Sequence, residues 1–246
     1  MTSDPLLCYV HINKNAGNSI IEALLNNYPD RFRQYLVSGR RSSGGPGAKT
    51  VDSPDEDVRR IVSEIAENQH RHDAIALNLP VGIHRRIDRP VRYVTMLREP
   101  VDRCVSYWYW AYRKRDTGNL WAALQAGLPD GVAGLPLQFR DDQVRFLSGT
   151  TNVETTDDDL ASAMKAVEEH FAFVGTVERF AECQARLGEL LSWKRPATFH
   201  LNSGDRGDHR LLPPEAVDIF RAANTRDLEL HTWLTRSYLP SVLGRN

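Results

Sequence analysis

The run Leu6-Leu7-Cys8-Tyr9-Val10-His11-Ile12-Asn13-Lys14-Asn15-Ala16-Gly17-Asn18-Ser19-Ile20 decides the fold. Leu6 to Ile12 is short and nearly continuously apolar, as a strand covered on both faces of a parallel sheet must be. Asn13 to Gly17 reads as a turn. Asn18 to Asn26 reads as a helix with Ile20, Ile21, Leu24 and Leu25 on one face, stopped by Tyr28-Pro29. In open α/β sheets, ligands bind beyond the C-terminal ends of strands. A helix start there offers free N–H groups and a partial positive charge.

The same alternation repeats outward from this unit. Phe32 to Val37, Ala74 to Leu79, Val91 to Leu97, Phe171 to Thr176 and Thr198 to Leu201 read as strands. Ser53-Pro54-Asp55-Glu56 reads as a helix start, with Ser53 as cap and Glu56 closing a capping box. The helix beyond it puts Val58, Ile61, Val62, Ile65 and Ala66 on one stripe. Val101 to Arg115, Val177 to Trp193, Glu215 to Ala223 and Thr225 to Tyr238 read as further helices. Thr156 with Asp157, Asp158 and Asp159 starts another, because acids favour the positive end of the dipole. Ser38 to Thr50 and Asn202 to Arg210 read as Gly-containing loops, and Asn119 to Arg140 as irregular around a short helix near Trp121. Alternating strands and helices imply a three-layer α/β/α domain with a mainly parallel sheet.

Two segments carry chemistry. In the first turn, Gly17 lets the backbone approach a phosphate, Lys14 adds a charge and Ser19 a hydroxyl. The order of residues is not that of a Walker A loop, in which Lys directly follows Gly and precedes Ser or Thr. The same turn is also compatible with a plain helix capped by Asn18, with Lys14 in solvent. The second segment is Leu97-Arg98-Glu99-Pro100-Val101-Asp102-Arg103-Cys104-Val105-Ser106. Arg98 ends a strand, Pro100 starts a helix, and Ser106 follows about two turns later. A guanidinium fork with a hydroxyl suits a second phosphate. Local pairing of Arg98 with Glu99 or Asp102 is the other reading.

Together the two segments resemble the sulfotransferases that use 3′-phosphoadenosine-5′-phosphosulfate (PAPS). The resemblance is to the branch of carbohydrate enzymes such as the heparan sulfate 2-O-sulfotransferases and their bacterial relatives. Leu97 to Ser106 matches that family's Leu-Arg-(Asp/Glu)-Pro-x-x-Arg-x-x-Ser pattern throughout. The first turn matches His-Ile-Pro-Lys-x-x-Gly-x-Ser except that Asn13 stands for proline. Phe173 to Phe180, and Asn224 with Asp227 to Leu230, are similar to later family segments.

The resemblance implies a P-loop-NTPase-like sulfotransferase fold over one domain, 1–246, with 117–155 as an insertion on the acceptor side. It implies PAPS as co-substrate and adenosine 3′,5′-bisphosphate as product. Lys14, Asn15, Ala16, Gly17, Asn18, Ser19 and Ile20 would hold the 5′-phosphosulfate, and Arg98 and Ser106 the 3′-phosphate. Lys14 would also be catalytic. The family's Gly-His after the third strand is replaced by Leu77-Asn78. His84 is then the expected base, with His11 and acids of the 117–155 segment as alternatives. No metal is implied. The acceptor is a small molecule or a carbohydrate.

Composition limits the partners. The 246 residues carry a formal net charge of −1, so bulk attraction to nucleic acid or an anionic membrane is not expected. Arginines do cluster locally, as at Arg113, Lys114 and Arg115. No apolar run approaches the roughly 18 residues of a membrane span. The three cysteines, Cys8, Cys104 and Cys183, are scattered and suit a reducing cytoplasm, and the apolar surroundings of Cys8 and Cys104 suit core positions. Two other classes compete: a small-molecule or nucleoside kinase with an atypical phosphate loop, and a non-catalytic module that binds adenosine bisphosphate. The oligomeric state is left open.

Overall fold

The computed structural model describes residues 4–37, 49–116, 119–195 and 212–244. The expected loops over 38–48 and 202–210 and the expected strand Thr198 to Leu201 lie outside the described residues.

Five strands form one sheet: β1 (Leu6–Val10), β2 (Phe32–Tyr35), β3 (Ala74–Leu77), β4 (Val91–Leu97) and β5 (Phe171–Thr176). All pairings are parallel, in the order β2-β3-β1-β4-β5. Helices flank the sheet, as expected for the α/β class. Every residue of β1 and β3 is buried, which explains their unbroken apolar runs. The helices are α1 (Gly17–Asn27), α2 (Glu56–Asn68), α3 (Pro100–Arg113), α4 (Leu120–Gly127), α5 (Asp142–Ser148), α6 (Asp157–His170), α7 (Phe180–Leu190), α8 (Ala216–Ala222), α9 (Thr225–Trp233) and α10 (Leu239–Leu243). Among the described residues, no helix is long and apolar enough to cross a membrane.

The strand order creates a crevice. From β1 the chain leaves toward β2 and β3, whereas from β4 it leaves toward β5, so loops at the ends of these neighbours diverge. The β1–β4 register ends at Tyr9 and Val94. Beyond it, the Thr95 hydroxyl donates to the Val10 carbonyl at 2.8 Å, while His11 N–H stays on the Leu77 carbonyl of β3 at 2.9 Å. The strands thus part where both chemistry-bearing segments begin.

Three expectations change. Helix α2 is capped by Asp55, whose side chain accepts from Val58 N–H. Ser53 is not the cap, because its hydroxyl is taken by Thr50 N–H in the preceding turn. The helix after β5 starts at Phe180 rather than Val177, once a turn has closed. Finally, Val105, Trp108, Tyr109 and Tyr112 share one helical face that by its apolar character is expected on the sheet, and they do not pack there. Trp108 meets Trp121 of α4 and Phe220 of α8, and with Cys104, Leu124 and Phe139 they build a second core. Beside it lies a cavity of about 530 Å³, lined by Trp108, Trp121, Gln125, Leu128 and Ile219. All three cysteines are buried.

Candidate active site

The loop between β1 and α1 is held in a costly shape. Lys14 and Ala16 both have left-handed backbones, at φ 72° and 58°. For residues with a Cβ this costs of the order of 1 kcal/mol or more each, and such strain concentrates where a loop must present its groups. Ala16 is the N-cap of α1 and offers no capping side chain, and the first turn has no acid. Asn18 is exposed inside the helix and does not cap it. Ser19 is buried, and its N–H and that of Ile20 turn back to the Ala16 carbonyl. Gly17 has a local reason to be glycine: a Cβ there would lie 2.2 Å from His11 Nε2. The His11 ring, stacked on Tyr9, therefore forms one wall of the loop.

Lys14 is half-buried rather than solvent-directed. Its ammonium is pushed down to about 8, first by burial and then by the positive charges of Arg113 and Arg98. Two guanidinium charges thus act on the ammonium that follows β1. An anion between them would relieve the repulsion and return Lys14 toward its ordinary value.

The second segment stands beside the first. Glu99 caps α3 by accepting from Asp102 N–H at 2.6 Å, and Pro100 is its first residue. Arg98 is half-buried at the strand end, and Ser106 is half-buried further along α3. Arg103 is fully buried and structural: it pairs with Asp142 at 3.4 Å and donates to the Gln138 carbonyl at 2.9 Å. The two segments touch through Asn13, which donates to the Tyr107 hydroxyl of α3 at 3.0 Å. Tyr107 meets Trp110 edge-on at 5.5 Å, and Trp110 is 37% exposed on the way to Arg113. From β5, Glu178 accepts the Glu99 N–H at 2.8 Å and faces His231 at 3.3 Å. Those two contacts hold its carboxyl low despite the burial that raises it.

Sequence reasoning missed Gln143, in the middle segment that had no assigned partner. Its side chain is fully buried. The amide oxygen accepts from Asn15 Nδ2 and from Arg98 N–H, and the amide nitrogen donates to the Arg98 carbonyl, all at 2.9 Å. Gln143 and Val144 N–H groups in turn donate to the two Asp227 oxygens at 3.0 and 2.7 Å. Helix α5 mixes Asp142, Gln143, Arg145 and Ser148 with three apolar residues, so its pattern carries no signal for Gln143.

His84 is not brought to this edge. It follows β3 in a tight turn, Ile83–Arg85, on the way back toward β4. Its Nδ1 lies 2.8 Å from the Tyr93 hydroxyl, and its ring is 4.7 Å from that of His170. Tyr93 lies near the start of β4 and His170 immediately before β5, whereas Lys14 and Arg98 follow strand ends. Tyr93 to Leu97 alone spans about 13 Å of strand. The chain has to reverse between parallel neighbours, and by residue 84 it has already turned back. Burial, then His170 and Arg85, lower the His84 pKa. Asn78, at the place of the expected Gly-His, is occupied by the Val37 backbone: it accepts from N–H at 2.8 Å and donates to the carbonyl at 3.3 Å.

No family model matches the chain, and no curated protein does. Among solved structures, it is similar to a sulfotransferase from Alicyclobacillus acidocaldarius, with a TM-score of 0.52 and 14% identity. The similarity covers 99% of this chain and 97% of that one. At this identity the likeness shows the fold: a parallel α/β architecture shared with a sulfotransferase along nearly the whole chain.

Proposed function

We propose that the chain transfers a sulfuryl group from PAPS to a hydroxyl of a small-molecule or carbohydrate acceptor. The observation that carries this reading is Lys14: strained, half-buried, beside Arg98 and Arg113, at the uncapped start of α1. A phosphosulfate is the anion such a place favours. The acceptor oxygen attacks sulfur in line, and the bond from sulfur to the bridging oxygen breaks. The 5′-phosphate of adenosine 3′,5′-bisphosphate leaves with that electron pair. Lys14 meets the bridging oxygen, where negative charge grows only as the bond breaks, so its effect falls on turnover. The backbone amides of Asn15 to Asn18, with the Ser19 hydroxyl, hold the 5′-phosphate, the Ser19 and Ile20 N–H groups being on the Ala16 carbonyl; Arg98 and Ser106 hold the 3′-phosphate.

The acceptor also loses a proton. His11 stands on the loop itself, three residues before Lys14, whereas His84 packs with Tyr93 and His170. In this reading His11 takes the role of base. Exposed Trp110 and the cavity beside α4 support an acceptor region formed by α3 and the 117–155 segment.

The test is to supply radiolabelled PAPS with a panel of phenols, alcohols and sugars. Acceptor-dependent release of adenosine 3′,5′-bisphosphate is expected. Binding of the bisphosphate with no release for any acceptor would leave a binding module. Transfer from ATP with Mg²⁺ instead would move the chain to the kinases.

A further inference from the structure

Among the described residues, Gln143 is a buried side chain that hydrogen-bonds with both phosphate-binding segments. Asn15 belongs to the strained loop and Arg98 to the end of β4, and 128 residues separate Asn15 from Gln143 in sequence. The orientation of the amide is determined by its partners. Asn15 Nδ2 and Arg98 N–H are donors and must meet its oxygen; the Arg98 carbonyl is an acceptor and must meet its nitrogen. The backbone beneath is equally constrained, because Asp227 accepts both the Gln143 and Val144 N–H groups. A side chain with three good hydrogen bonds, no exposure and an anchored backbone has one rotamer available.

From this we infer that Gln143 is a positioning residue that sets the distance between the two phosphate sites, so that a ligand with two phosphates meets one rigid receptor. The inference rests on the two-phosphate reading above and goes beyond it. Where two sites are held in register, the second phosphate binds as if intramolecularly and adds strongly to affinity. Where the sites move independently, ordering them consumes part of that gain. Gln143 itself touches neither phosphate in this reading. Its loss therefore affects the gain from the second phosphate more than the binding of one phosphate alone.

Gln143→Met keeps length and apolar volume and removes all three side-chain hydrogen bonds. The measurement is titration of wild type and variant with adenosine 3′,5′-bisphosphate and with AMP, alongside thermal melting of each. Wild type should prefer the bisphosphate by at least about tenfold, the effect of one charged hydrogen-bonded partner. In Gln143→Met that preference should shrink to within about threefold, with AMP affinity nearly unchanged. Turnover should show a raised KM for PAPS and a smaller change in kcat. If Gln143→Met does not fold, Gln143→Asn draws the amide back by one methylene from both segments and should still reduce the preference. Equal weakening of both nucleotides, or an unchanged preference, would make Gln143 merely structural and overturn the inference. A wild type that does not distinguish the two nucleotides would instead overturn the two-phosphate reading itself.

Discussion

Helices α5 and α9 begin on each other's carboxylates, and α1 begins on none. Asp227, in the first turn of α9, accepts the N–H groups of Gln143 and Val144 at the start of α5. Asp141, just before α5, accepts those of Arg226 and Asp227 at 3.1 and 2.9 Å. The exchange brings two carboxylates together in the interior, and burial and then the Asp141 charge push the Asp227 carboxyl up. Helix α6 has a complete capping box from Thr156 and Asp159, and α2 and α3 are capped by Asp55 and Glu99. The N-cap of α1 is Ala16 in a strained conformation, with Lys14 two residues away. At α2, α3, α5, α6 and α9 the chain satisfies the helix start with acids. At α1 the start is open, Arg98 and Arg113 act on Lys14 beside it, and the place suits an anion.

The comparison can be broken at its open end first. Lys14→Ala should lower turnover by about 10²–10³-fold, the usual effect of losing one donor aimed at developing charge. Affinity for adenosine 3′,5′-bisphosphate should fall much less, and single-turnover kinetics with PAPS would separate the two. A near-normal turnover with only a raised KM would remove Lys14 from the chemistry. The same residue sets a pH dependence. Its ammonium is complete below a pKa of about 8 in the free protein and is lost above it, so kcat/KM should decline as pH rises through 8. Stability should move the other way. Between about 8 and the ordinary 10.5 the unfolded chain binds more protons than the folded one, so this group's contribution rises with pH.

At the capped end, Asp227→Ala should cost about 2–4 kcal/mol, because two buried N–H groups lose their acceptor. Urea unfolding measures this, and a loss below about 1 kcal/mol would mean that water replaces the carboxylate. Converting one kind of start into the other is the sharper test. Ala16→Asp puts an acid on the bare start of α1. It should raise stability by up to about 1 kcal/mol and weaken bisphosphate binding about tenfold or more. Unchanged binding would show that the start of α1 is not where the phosphate sits. The smallest effect is expected at the far end of the sheet. His84→Ala should keep both turnover and the ascending limb of the pH–rate profile, and His11→Asn should flatten that limb. The reverse result would return the base to His84.

Much of this was legible in the sequence, for local reasons. Strands β4 and β5 have the boundaries read from their apolar runs, and α3 begins at the proline that had to begin it. The helix start at Thr156 was legible because three acids follow it at the positive end of the dipole, and the structure adds a capping box between Thr156 and Asp159. The Asp55 cap was misread because Ser53 and Asp55 are both competent, and a contact with Thr50 decided between them.

The sequence by itself determined what short-range physics controls: an alternating α/β chain, and the two segments at strand ends that carry Lys14 and Arg98. Tertiary structure alone decided which groups meet. Parallel pairing forces each connection to run back along the sheet, and that reversal carried His84 away from Lys14. The divergence of β1 and β4 opened the crevice. Contacts across 128 residues made Gln143, from an unassigned segment, the common partner of Asn15 and Arg98. A hydrogen bond between distant segments leaves no periodicity along the chain, since it depends on where the folded backbone brings two points and not on spacing in sequence.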